Sequence, residues 1–233
     1  IFYNNYNNPT GASSSDSEIE RLAELVIKND MFLISDDAYF DTLYDGEPKS
    51  IASYPGMYER TLTMYTFSKK FAMTGWRLGA SIGPKKIIEQ INRLNVNMES
   101  CTTHFVQYAG LAGLNAPKKE TQDILDTLKK RRDTLVKILN GIDGVETHVP
   151  EAGFYVFPKI TKLLNDTRFD SVEEFRKKVL KETGVSFCGR HHFGRPLKVE
   201  KDFYIRLAFS GIHMSDLKEG MELFKKWIAS NIK

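Results

Sequence analysis

The chemistry of this chain concentrates in Thr66-Phe67-Ser68-Lys69-Lys70-Phe71-Ala72-Met73-Thr74-Gly75-Trp76-Arg77-Leu78-Gly79. A lysine follows the apolar β run Thr61 to Phe67, sits behind the hydroxyls of Thr66 and Ser68, and precedes Arg77 by eight residues. An amine in that setting suits capture of a phosphate-bearing aldehyde: the amine condenses with the carbonyl, and the hydroxyls and guanidinium hold the phosphate. Taken alone, Lys69 also reads as an exposed lysine after a strand. Four further segments supply the groups such a site needs.

Asn5-Tyr6-Asn7-Asn8-Pro9-Thr10-Gly11 is a Pro/Gly turn after the short apolar start Ile1-Phe2-Tyr3. Its Asn8 can donate and accept hydrogen bonds at a strand end, where open α/β sheets bind ligands. Met31-Phe32-Leu33-Ile34-Ser35 reads as a buried strand, with Asp36 at its end and Tyr39 three residues later. That carboxylate could pair with a protonated ring nitrogen and that phenol could reach a ring oxygen; a surface turn with two solvated aspartates fits the same residues. Glu151-Ala152-Gly153-Phe154-Tyr155-Val156-Phe157 is a Gly-initiated aromatic strand, read mainly as core. In Phe203-Tyr204-Ile205-Arg206-Leu207-Ala208-Phe209-Ser210 one arginine interrupts an apolar strand. Such a charge is costly unless paired, so Arg206 is either in a structural ion pair or a bidentate holder of a ligand carboxylate.

With these segments in this order, the chain resembles the class I/II aminotransferases of pyridoxal-phosphate fold type I, close to the aspartate and aromatic aminotransferase branch. The Ser-Lys-x-Phe-x-Met-x-Gly-x-Arg-x-Gly pattern at 68–79 carries most of the resemblance, and Asn-x-Asn-Asn-Pro-Thr-Gly at 5–11 supports it. Asn8 precedes Asp36 by 28 residues and Asp36 precedes Lys69 by 33, spacings that fit the family. The match to Phe71 and Arg77 selects Lys69 over Lys70. Departures are Tyr6 for a usual proline, Thr66 for a common serine, and Cys188-Gly189 for a more usual Pro-Gly before Phe193-Gly194.

The resemblance implies the following roles. Lys69 is the catalytic lysine that links pyridoxal 5'-phosphate and then moves the substrate's α-proton. Asp36 pairs with the cofactor nitrogen, Asn8 and Tyr39 bond its ring oxygen, and Thr66, Ser68 and Arg77 grip its phosphate. Arg206, with Asn8, binds the substrate carboxylate. The implied reaction is amino-group transfer between an L-amino acid and a 2-oxo acid, in a cytoplasmic homodimer. A C–S lyase on the same scaffold and an aminotransferase-like domain of a transcriptional regulator are the alternatives. The stretch Asn97 to Thr103 has no arginine, where some relatives with acidic substrates bring one from the partner subunit. Family members are much longer than these 233 residues. The resemblance therefore implies that the rest of the phosphate loop, the ring-stacking aromatic and the substrate-closing segment precede residue 1, and that the present stretch is inactive by itself.

Composition agrees with an enzyme. Lys and Arg total 33 against 30 Asp and Glu, a net charge of +3 with both signs interspersed, which argues against a nucleic-acid footprint. The basic run Lys129 to Arg132 lies in a polar helix and reads as a solvated face. No apolar run approaches membrane-spanning length. Cys101 and Cys188 lie far apart, and the five histidines lack metal-ligand spacing, so no metal site is expected and His191-His192 reads as a polar loop pair.

The pattern predicts an α/β fold: part of a large cofactor-binding domain over 1–125, with a mainly parallel sheet and flanking helices, then a smaller α+β domain over 126–233. Strands are expected at 31–35, 61–67 and 78–82, then near 145–149, 153–158, 185–187 and 202–209. Ser15-x-x-Glu18 predicts a capping box and a helix burying Ile19, Leu22, Ala23 and Val26. Further helices are expected from Pro84 to about Asn97, over 102–114, from Pro117 to about Asn140, over 171–183 behind Ser171-x-x-Glu174, and over 215–230 capped by Ser215.

Overall fold

The computed structural model describes residues 1–232 and divides them into two compact units. The first comprises 1–7, 12–125 and 151–153; the second comprises 8–11, 126–150 and the described residues from 154 on. The chain thus exchanges two short segments, Asn8–Gly11 and Glu151–Gly153, besides passing from one unit to the other after Leu125.

In the first unit β1 (Phe2–Tyr3), β2 (Leu33–Asp36), β3 (Thr61–Thr66) and β4 (Gly79–Ile82) form a sheet in that order. The β1–β2 and β2–β3 pairs are parallel and β4 is antiparallel to β3. The helices are α1 (Asp16–Lys28), the single turn α2 (Phe67–Lys70), α3 (Lys85–Met98), α4 (His104–Asn115) and α5 (Lys119–Leu139), whose later part belongs to the second unit. The α1 capping box forms as expected: the Ser15 backbone donates to Glu18 Oε2 at 2.8 Å and the Glu18 backbone donates to Ser15 Oγ at 3.4 Å. Ile19, Ala23 and Val26 pack with Leu33, Ile51 and Met57 under the sheet, and Leu22 lies at the margin of that core.

A second core, Phe67, Met73, Leu78 and Val106, supports the lysine turn. Two glycines let α4 come close. A Cβ on Gly110 would stand 2.5 Å from Leu78 Cδ2, and one on Gly113 would stand 3.0 Å from the Phe71 ring. The residues on either side of Lys69 are therefore clamped by a helix that larger side chains would hold away.

In the second unit β5 (Tyr155–Val156), β6 (Cys188–Gly189) and β7 (Ile205–Ala208) form an antiparallel sheet in the order β5-β7-β6. It is flanked by α6 (Thr161–Asp166), α7 (Val172–Thr183) and α8 (Met214–Ala229). Phe175 is fully buried and its ring meets Phe169, Phe187, Phe224 and Trp227 at 5.6 to 6.3 Å. Trp227 also donates from its indole to Glu182 at 2.6 Å.

Several elements differ from the expectation. No strand forms over 145–149; only the single Glu146–Lys159 bridge does, just after the turn at Gly144. Helix α6 was not expected, its six residues being too few to show a helical period. The strand expected at 185–187 forms instead at Cys188–Gly189. Helix α8 begins at Met214, so Ser215 lies inside it, bonded to Asp216 rather than capping. The Ser171 box is half made: Ser171 Oγ accepts from the Glu174 backbone at 3.1 Å, but Glu174 accepts from Asp170.

Candidate functional site

Strand alternation sorts Asp36, which ends β2, from Asp37, which follows it. Leu33, Ser35 and Asp37 fall on one face, buried to 3% exposure or less, and Ile34 and Asp36 fall on the other. Asp37 accepts from the Ser35 hydroxyl at 2.6 Å, and its carboxyl is pushed above the ordinary aspartate value, chiefly by burial. Asp36 stays half-buried. Its Oδ1 accepts from the Ala38 backbone at 3.1 Å, and Asn4 donates to its carbonyl at 3.3 Å. The two neighbours therefore differ in kind: one serves the interior and the other faces outward at the carboxyl end of a parallel strand.

The two lysines are sorted by a helical turn. The β run was expected to reach Phe67, but Thr66 ends β3 and caps α2: its Oγ1 accepts from the Ser68 backbone at 3.2 Å and donates to the Leu78 carbonyl at 3.4 Å. Residues 69 and 70 then diverge by about 100° around the turn. Lys70 reaches Asp41 at 2.8 Å, and Asp41 also accepts from Tyr65 at 2.6 Å. Lys69 instead lies over the ring of buried Tyr39, its Nζ 5.6 Å from the centroid. Burial first, and then the Arg77 guanidinium, push the Lys69 ammonium below the usual lysine value, with Asp36 acting in the opposite sense. An amine whose protonated form is disfavoured is the one that attacks a carbonyl.

Arg77 takes the left-handed conformation, φ 55°, at the turn that brings the chain back into β4. Its guanidinium is exposed and donates to the Thr74 carbonyl at 2.8 Å. Ser68 is buried beside Phe67. Lys69, Asp36, Tyr39, Arg77, Thr66 and Ser68 thus all belong to the first unit, on β2, β3, the turn after β3 and their loops. Gly153 backs this group: its φ is +73°, its backbone donates to the Thr42 carbonyl at 3.2 Å, and a Cβ there would meet the Tyr39 ring at 3.4 Å.

Asn8 and Arg206 lie together in the second unit. Arg206 Nη1 donates to Asn8 Oδ1 at 2.8 Å, across 198 residues of sequence. In β7 the alternation buries Ile205 and Leu207 and turns Arg206 to the opposite face, so the charge does not enter the apolar core. The guanidinium carbon sits 4.2 Å from the Tyr155 ring centroid and 4.6 Å from that of Phe193. Nη2 lies 3.9 Å from Cys188 Sγ, and Nε is buried with no hydrogen-bond partner among the described residues. No carboxylate pairs with Arg206 among the ion pairs of the described residues.

Sequence reasoning missed the rings around Arg206 and the role of Asp41. The sequence places Tyr155 in a Gly-initiated aromatic strand that reads mainly as core. Phe193 lies in a loop whose position no local pattern reveals. The fold also brings Glu173 beside His191 and His192, with one ligand atom of each within 4.8 Å of the others. Arg176 already holds that carboxylate by two bonds of 2.7 and 2.8 Å, and Lys177 stands 3.5 Å away. The cluster is accounted for as a surface charge network.

Comparison with known proteins bears on the whole arrangement. The family model of aminotransferase class I and II matches residues 1–224. Over 228 residues the chain is 35% identical to an aspartate aminotransferase of Sulfurisphaera tokodaii, covering 98% of this chain and 56% of the relative. It is 34% identical to aromatic-amino-acid aminotransferase 2 of Thermococcus litoralis, again over 56% of that protein. Among solved structures, the aromatic aminotransferase from Pyrococcus horikoshii OT3 superposes with a TM-score of 0.88 at 32% identity, and the aspartate aminotransferase from Rhizobium meliloti with 0.90 at 28%. These cover 98% and 100% of this chain but 59% and 58% of the structures, so the chain spans little more than half the length of the proteins it matches. The fold is that of the fold type I aminotransferases, and the chain belongs to the class I and II aminotransferase family.

Proposed function

We propose that the protein moves an amino group between an L-amino acid and a 2-oxo acid with pyridoxal 5'-phosphate as cofactor. The observation that carries this reading is the state of Lys69: an amine on a clamped turn, over Tyr39, near Asp36 and Arg77, with its protonated form disfavoured. The residues present suit the cofactor. A half-buried, destabilised ammonium suits an aldehyde, an outward carboxylate at a strand end suits a protonated ring nitrogen, and an exposed guanidinium suits a phosphate. When bound, pyridoxal phosphate supplies the aldehyde and a ring that accepts electrons as the α C–H bond breaks.

The chain's own residues have these roles. Lys69 holds the cofactor and, once released by the incoming amine, moves the proton at the substrate α-carbon. Asp36 keeps the ring nitrogen protonated, because a carboxylate beside it favours the charged form. Tyr39 and Asn8 donate to the ring oxygen. Thr66, Ser68 and Arg77 take the phosphate, which requires the Thr66 hydroxyl to leave its long bond to Leu78. Arg206 takes the substrate carboxylate with its planar fork, which fixes the direction of the α C–H bond.

We read the working protein as a homodimer, on the family resemblance. Among the described residues no helix is long and apolar enough to cross a membrane, and Cys101 and Cys188 are unpaired. A cytoplasmic location accords with that redox state.

The full-length, cofactor-loaded protein tests the reading. A panel of L-amino acids should change the cofactor absorbance, and added 2-oxo acid should restore it while a new amino acid appears. Release of ammonia and a 2-oxo acid from a sulfur amino acid, with no need of an acceptor, would replace this reading with the lyase.

A further inference from the structure

The surroundings of Arg206 are more specific than carboxylate binding requires. An arginine has five N–H donors on a long, freely rotating stem, and most of its rotamers point no fork at any one place. Here Ile205 and Leu207 anchor the strand on the core side while the guanidinium lies against two rings, at 4.2 Å from Tyr155 and 4.6 Å from Phe193. Each ring is itself held. Tyr155 is in β5, paired with Ala208 of the arginine's own strand. Phe193 meets Phe157 edge-on at 6.3 Å, and the neighbouring Arg190 ties its loop down through Glu200, at 2.8 and 3.1 Å, and the Gly194 carbonyl, at 3.1 Å.

Rings against a cation attract it through their electron-rich faces and also exclude water from it. They offer no acceptor to its in-plane donors. Asn8 takes one Nη1–H, the Cys188 thiol is at best a weak acceptor for Nη2, and Nε–H is buried without a partner among the described residues. The guanidinium is therefore held by its faces and under-bonded along its edge. A planar two-oxygen anion supplies what the edge lacks.

We propose that Tyr155 and Phe193 are positioning residues that fix the plane of the Arg206 fork and so set the protein's preference for substrates bearing an α-carboxylate. The proposal rests on reading Arg206 as the carboxylate fork, and it assigns to the two rings the pre-organisation of that fork. If the rings hold the fork in its binding orientation, their loss lowers the fraction of molecules competent to bind, and apparent affinity falls by that fraction.

The test uses the full-length, cofactor-loaded protein and compares the L-amino acid that gives the strongest absorbance change with its decarboxylated amine. Phe193→Leu and Tyr155→Leu keep apolar volume and remove the ring. Each should raise KM for the amino acid by about 3- to 30-fold, the span to which a desolvated cation–π contact converts, while leaving the amine's KM and the kcat for either ligand little changed. Phe193→Tyr, which keeps a ring, should restore the amino-acid KM. Equal weakening of both ligands would mean general damage and would overturn the proposal. So would an unchanged amino-acid KM in both leucine variants while Arg206→Lys still raises it. If Arg206→Lys itself fails to separate amino acid from amine, the carboxylate reading of Arg206 falls, and the rings' role falls with it.

Discussion

Lys69 and Arg206 both rest against aromatic rings, and the rings are used in opposite ways. Lys69 lies 5.6 Å from the Tyr39 centroid with Arg77 near, and its ammonium is destabilised. Arg206 lies 4.2 and 4.6 Å from two rings and keeps its charge, because a guanidinium does not deprotonate in a protein. For a titratable amine, apolar surroundings and a second cation favour the neutral, nucleophilic form. For a group that cannot titrate, similar surroundings only restrict its motion. On the proposed roles, chemistry and recognition draw on the same kinds of neighbour and differ by the choice of cation, so a Lys/Arg exchange at either place is not conservative.

The comparison breaks most visibly at Lys69. In the full-length protein Lys69→Ala should lose the borohydride-reducible cofactor link and lower turnover by about 10²–10⁴-fold or more. Lys70→Ala should keep both, since Lys70 is spent on Asp41. Mass spectrometry of the reduced protein locates the link; a link on Lys70 would refute the division drawn here.

The next effect lies at the aspartate pair. Asp36→Ala should still bind cofactor but turn over about ten- to a thousandfold more slowly, the range of one to three pKa units that a paired carboxylate supplies to its partner. Asp37→Asn should leave turnover near normal and change stability instead. The folded-state pKa of Asp37 is raised, so the native state binds more protons than the unfolded one between the ordinary aspartate value and the raised one. Stability is therefore lost as pH rises through that window. Asn keeps an acceptor for Ser35 without the buried charge, so the variant should gain in urea midpoint relative to wild type at pH 7 and lose that gain at pH 3. An unchanged difference at both pH values would contradict the burial argument.

The smallest effect sharpens the contrast between Lys69 and its neighbour. Lys70→Met should cost about 1 kcal/mol or less, because the Lys70–Asp41 pair is only partly buried, at 31% and 20% side-chain exposure, and Asp41 keeps its bond from Tyr65. Chemical denaturation measures it. A much larger loss would make Asp41 dependent on both partners.

Much of this was legible before folding. The 68–79 pattern separates Lys69 from Lys70 by register alone, and period-2 alternation already places Asp36 and Asp37 on opposite faces once a strand is granted. The α1 capping box follows from two residues three apart, because that interaction is local. The second unit was read less well. Its strands have two to four residues, too short for alternation to show, and helix α6 has six. Arg206 charges an apolar run in the sequence, and only the pairing of β7 shows that it faces away from the core.

By itself, then, the sequence determined the family and the α/β class, because each rests on residue types at fixed short spacings along the chain. The tertiary structure alone decided what surrounds those residues. It brought Asn8 to Arg206 across 198 positions, set Phe193 and Tyr155 against the guanidinium, gave Lys70 to Asp41, and let Gly110 and Gly113 admit α4 against the lysine turn. Contacts of that kind depend on which strands pair and which faces meet, and no local period in the chain encodes them.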